Sequence, residues 1–166
     1  MRRVVLGTVL TLVCTGAHGD VATPKPPTER LQAGSVPAVL IAEWRKAENR
    51  ASCAPLWLDD AAVSGKQIRA RYFGGGWGVT VRNPRRWGVA GAGVVAGPQD
   101  LEKWKFRREN AAGMRAGYGL EGFDMGPDWL AYILVPGQSC LYNVWSSVGK
   151  EHLEELVDHL RIVDVR

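Results

Sequence analysis

The stretch Ile68-Arg69-Ala70-Arg71-Tyr72-Phe73-Gly74-Gly75-Gly76-Trp77-Gly78-Val79-Thr80-Val81-Arg82 decides the fold. Ile68, Ala70 and Tyr72 alternate with Arg69, Arg71 and Phe73. Beyond the three glycines, Trp77, Val79 and Val81 alternate with Gly78, Thr80 and Arg82. Successive side chains of a strand point to opposite faces, so each run has one core-facing and one outward-facing set. Two such runs joined by glycines predict a β-hairpin.

The same period continues downstream. Asn83-Pro84 marks a turn, and residues 87–95 form a glycine-rich third strand. Met114, Ala116, Tyr118 and Leu120 alternate with Arg115, Gly117, Gly119 and Glu121 as a fourth. After Gly126-Pro127-Asp128, residues 129–135 are apolar on both faces, which predicts a central strand. Pro136-Gly137 fits the middle of a type II turn, because Pro sets φ and Gly supplies φ > 0. Residues 139–145 return as a sixth strand. Residues 98–110 read as a short surface helix, and 162–165 as a short edge strand.

A helix is expected at each end of this sheet. After Pro37, the residues Leu40, Ile41, Trp44, Ala47 and Ala51 recur at helical spacing, and Pro55 ends that helix by Cys53 or Ala54. Near the C-terminus, Leu153, Leu156, Val157 and Leu160 form an apolar stripe, with Ser147 as its expected N-cap. The predicted fold class is α+β: an antiparallel β-meander of about five or six strands, with an N-terminal and a C-terminal helix packed on one face.

The N-terminus reads as an export address. Met1-Arg2-Arg3 is basic, residues 4–13 are largely apolar, and Ala17-His18-Gly19 supplies small residues before Asp20. Residues 1–19 are expected to be a signal peptide cut before Asp20, with a cut after Ala17 as the alternative. Cys14 as a lipid-anchor acceptor is a second reading, weakened by the bulky Val13 before it. A twin-arginine signal at Arg2-Arg3 lacks the rest of its pattern. Residues 20–37 carry Pro24, Pro26, Pro27 and Pro37 and read as a Pro-rich linker to one domain over 38–166. The apolar run is too short for a transmembrane helix, which needs ~20 residues, so no membrane span is expected in the mature chain.

Composition excludes several classes. The chain has 166 residues, 46% hydrophobic and 23% charged, which is neither disordered, fibrous nor multi-spanning. Its net charge is +4. Losing Arg2 and Arg3 with the signal leaves 19 basic against 17 acidic residues, so no nucleic-acid partner is expected. With Cys14 gone, Cys53 and Cys140 remain and read as one structural disulfide in an oxidising compartment.

Candidate chemistries are few. Gly91-Ala92-Gly93-Val94-Val95-Ala96 matches G-x-G-x-x-G/A, but Gly97-Pro98 prevents a helix in register, so it reads as strand and no cofactor is expected. Ser64-Gly65-Lys66 lacks the upstream glycine of a P-loop. His152, Glu155 and His159 fall within about 60° on a helix and are the candidate metal ligands. Asp59-Asp60 and Asp124 with Asp128 are turn-like carboxylate pairs rather than an organised acid and base. Lys103, Trp104, Lys105, Arg107 and Arg108 interleave charge and aromatic rings, bracketed by Glu102 and Glu109. Trp77 and Trp87, beside glycine-rich backbone, are the candidate pocket tryptophans among the seven in the chain. No stretch carries a family signature.

The expected function is an exported, non-catalytic binding or accessory protein of the envelope or extracellular space. Its partner would be another protein or an anionic envelope component. The alternatives are a metal-dependent hydrolase using the His152 face, and an inhibitor or immunity-type partner of another exported protein.

Overall fold

The computed structural model describes residues 30–59, 67–83, 85–123 and 126–166. The predicted signal peptide, Cys14, Asp60, Ser64-Gly65-Lys66 and Asp124 lie outside the described residues. In chain order, β1 (Leu31–Gln32), α1 (Ala38–Trp44) and β2 (Leu56–Leu58) come first. The hairpin and its neighbour follow as β3 (Gln67–Phe73), β4 (Gly76–Asn83) and β5 (Arg85–Val95). Then come α2 (Gln99–Glu102), β6 (Phe106–Glu109), β7 (Arg115–Phe123), β8 (Gly126–Leu134) and β9 (Cys140–Ser146). The chain closes with α3 (Lys150–His159) and β10 (Leu160–Asp164).

The fold is α+β with a seven-stranded sheet in the order β3-β4-β5-β9-β8-β7-β6, antiparallel throughout. A smaller sheet runs β1-β10-β2. The large sheet is two meanders rather than one. β5 pairs with β9, not with β6, and residues 96–105 carry the chain across to the far edge. Glycines prepare that crossing. A Cβ at Gly117 would lie 2.8 Å from the Leu101 carbonyl oxygen, and one at Gly119 3.2 Å from the Trp104 ring. The crossover therefore lies in a trough that only glycine leaves open.

Several expectations need correction. Among the described residues the large sheet has seven strands, because 106–109 pairs with β7 instead of continuing a surface helix. Phe106 stacks on Tyr118 at 5.5 Å, and this cross-strand contact outweighs the helical reading. α1 stops at Trp44, and a separate 3-10 turn, Glu48–Ala51, completes the approach to Cys53. Ser147 does not cap α3, which Gly149 precedes. Ser147 Oγ instead accepts the Arg86 N–H at 3.1 Å and donates to the Arg86 carbonyl at 3.0 Å. β10 is the middle strand of the small sheet, not an edge. Leu31 and Gln32, within the stretch read as a linker, pair in parallel with it.

Cross-strand partners share a face, so the register sorts the sheet. Trp77, Val79, Val81, Val89, Tyr142 and Val144 belong to one buried cluster with Leu40, Ile41 and Trp44 of α1 and Leu153, Leu156 and Val157 of α3. Each such side chain, fully buried, contributes roughly 1.5–3 kcal/mol. Cys53 and Cys140 form the expected disulfide, with Cα atoms 5.5 Å apart, tying the segment after α1 to the start of β9. The turn at Pro136-Gly137 also forms as read: Gly137 has φ +73°, and the Gln138 N–H donates to the Val135 carbonyl at 3.1 Å. Among the described residues, no helix is long and apolar enough to cross a membrane.

Candidate anion-binding groove

The residues singled out by sequence are mostly structural. Trp77 is fully buried and meets Tyr142 edge to face at 6.4 Å. Trp87 is also buried, with its ring 5.8 Å from that of Trp57. Neither opens a pocket. Glycine beside them serves close packing: a Cβ at Gly91 would stand 2.6 Å from Trp77 Nε1.

The segment from Lys103 to Arg108 does not form one cationic surface. Trp104 lies over Gly117 and Gly119 and meets Tyr132 edge to face at 5.2 Å. Lys103 Nζ stands 4.5 Å from the Tyr132 ring centre, and Lys105 Nζ 5.3 Å from that of Phe106. In β6, Arg107 and Arg108 point to opposite faces. Arg107 donates to the Glu102 carbonyl at 2.9 Å, while Arg108 grips both oxygens of Asp158. A cavity of about 410 Å³ beside them is walled by Glu102 and Glu109 as well as by arginines, so its charge is mixed.

The three candidate metal ligands do not converge. His152 Nδ1 is 2.8 Å from Ser146 Oγ, His159 Nδ1 is 2.7 Å from Asp59 Oδ1, and Glu155 is exposed. Arg161 holds the other oxygen of Asp59 at 2.6 Å. Among the described residues, no group of three His, Cys, Asp or Glu side chains is placed to hold a metal ion. The Ser146–His152 pair resembles a nucleophile and base in composition only, because Ser146 is fully buried.

A different site emerges on the sheet face opposite the core. Period two sends Arg69, Arg71 and Phe73 of β3 to that face together. Across the ladder, Arg69 stands opposite Thr80 and Arg71 opposite Gly78, and these pair onward with Gly88 and Ala90. The next strand places Trp145 opposite Gly88. The floor is therefore Gly78, Thr80, Gly88 and Ala90, all small, between arginines on one side and an indole on the other. The indole leans across Gly88, where a Cβ would lie only 2.1 Å from Trp145 Cζ2. Arg82 adds a third guanidinium at the end of the floor. The result is a groove of about 510 Å³.

Among the described residues its charge has one sign. Arg69, Arg71 and Arg82 are exposed, and none is in an ion pair or side-chain hydrogen bond among the described residues. Among the described residues, no carboxylate lines the groove. Arg86, opposite Arg82 on β5, is already bonded to Asp128 at 3.3 Å. Planar guanidinium forks match carboxylates, phosphates and sulfates. Among the described lining residues, Thr80 offers a hydroxyl beside three guanidiniums, a set that can grip an anion. By sequence alone these arginines are the outward side of a strand. The signal lies in the register: two arginines face glycine and threonine across the hairpin, and the neighbouring strand β5 offers only Gly88 and Ala90 beyond them. No protein-family model, curated protein sequence or solved structure matches the chain.

Proposed function

We propose that the protein is an exported, non-catalytic binding domain that holds an anionic partner in the groove between β3 and Trp145. The observation that carries this reading is the set of three guanidiniums, unpaired among the described residues, around a floor of small residues. Exposed arginines sharing a concave face raise the local concentration of anions and steer them inward. Export rests on the basic, apolar and small-residue pattern of residues 1–19, and the Cys53–Cys140 disulfide supports it, because such bonds persist in oxidising compartments.

The test uses fluorescein-labelled dextran sulfate, an anionic polymer that is not a peptide. Anisotropy should show binding at about 50 mM salt that weakens strongly by about 500 mM, as screening shortens the reach of the charges. The triple variant R69A/R71A/R82A should lose that binding while keeping its circular dichroism. Equal binding by the triple variant would sink the reading.

A further inference from the structure

We infer that the occupant is an extended acidic peptide that adds as a strand to the edge of β3, alternating acidic with apolar side chains. This deepens the anion-binding reading and rests on it.

β3 ends the large sheet, so one side of its backbone has no strand partner among the described residues. The Tyr72 N–H donates outward to Glu43 Oε2 at 3.3 Å. In an antiparallel ladder outward groups recur at every second residue, so those of Ala70 and Ile68 point the same way. Neither residue makes an outward hydrogen bond among the described residues. Such an edge is a template for a further strand. Lys46, bonded to Glu43 at 2.5 Å, holds the Glu43 carboxyl below the usual carboxylate range and offsets its charge there.

The two flanks of that edge differ. On the groove side stand Arg69 and Arg71. On the α1 side stand Val39 and Tyr72, 38% and 53% exposed although apolar. Val39 is one helical turn before Glu43, so both lie on the helix face turned to β3. A strand laid along Ile68–Ala70 would send alternate side chains to the arginines and the intervening ones to Val39 and Tyr72. Acidic and apolar residues in alternation meet both demands. A second copy of β3 does not, because pairing two such edges sets arginine against arginine.

The test takes a labelled peptide of repeating Glu-Val units, the same peptide N-methylated at every Val, and one N-methylated at every Glu. All amides of one class lie on one edge of the strand. The inference expects one methylated peptide to bind like the parent and the other to bind about tenfold more weakly, as edge hydrogen bonds are lost. Ala70→Pro, a change tolerated on an outward edge, should weaken the parent similarly. Should the two methylated peptides bind alike while dextran sulfate still binds, the strand inference falls and the groove reading stands. Loss of both probes would remove both readings. Phosphatidylglycerol vesicles bound as tightly as the parent peptide would overturn the inference in favour of a membrane surface.

Discussion

Gly91 lacks a side chain where Cys53 Sγ needs the space: a Cβ at position 91 would stand 2.6 Å from that sulfur. The glycine that suggested a dinucleotide motif is instead the seat of the disulfide. Trp77 crowds the same point, so neither neighbour can yield easily. Gly91→Ala should destabilise the fold by about 1–3 kcal/mol, the usual effect of overpacking a core. Urea denaturation followed by tryptophan fluorescence measures it, and an unchanged midpoint would contradict the packing described.

The disulfide spans 87 residues of sequence. Closing so long a loop restricts the unfolded chain, and C53A/C140A should lose roughly 4–5 kcal/mol. The comparison is by denaturant midpoint against the wild type, with and without reductant. Reductant should move only the wild type.

Asn110 is buried where β6 ends and ties that turn to the last helix. Its Nδ2 donates to the Val157 carbonyl at 2.8 Å, and its Oδ1 accepts the N–H groups of Ala112 and Met114 at 3.0 and 3.1 Å. Asn110→Ala would strand all three partners. A loss of about 3 kcal/mol is expected at roughly 1 kcal/mol per bond. Amide hydrogen exchange should show Ala112 and Met114 losing protection first.

Alkaline pH should destabilise the protein through two tyrosines held neutral by the fold. Burial, and then the hydrogen bond to Glu154, push the Tyr118 hydroxyl up to about 12. Burial raises Tyr142 as well. A raised folded value means the stabilisation is complete below the ordinary tyrosine value of about 10. It is lost as pH climbs toward the folded value. Thermal midpoints measured from pH 8 to 12 should therefore be level and then decline above about 10. Tyr118→Phe should flatten part of that decline, and a decline unchanged by the substitution would contradict it.

Removing the groove arginines should leave stability nearly untouched. Arg69, Arg71 and Arg82 are exposed and unpaired among the described residues, and surface changes of that kind stay within about 0.5 kcal/mol. Relief of mutual repulsion would place any shift on the stabilising side. A large loss of stability in R69A/R71A/R82A would mean that these side chains hold the sheet together rather than wait for an anion.

The strands were legible because their information is local. Alternation in 68–82 marked the first hairpin, Pro136-Gly137 marked the turn between β8 and β9, and the stripe from Leu153 to Val157 marked the final helix. Two cysteines left after the predicted signal sufficed to name the disulfide. Each of these follows from backbone geometry or counting within a short window.

What the chain did with those pieces was not local. Period two says which residues share a face, but not which strand lies alongside. β5 takes β9 as neighbour because the crossover finds its trough over Gly117 and Gly119, more than ten residues further along the chain. That choice brings Trp145 over Gly88, opposite arginines some seventy positions earlier, and so makes the groove. The tryptophans singled out beside glycines, Trp77 and Trp87, went into the core, because glycine there admits close packing and not a ligand. Sequence alone determined the elements and their amphipathic faces. Only the tertiary structure decided which outward face would be covered and which left open, because covering depends on contacts between segments far apart in the chain.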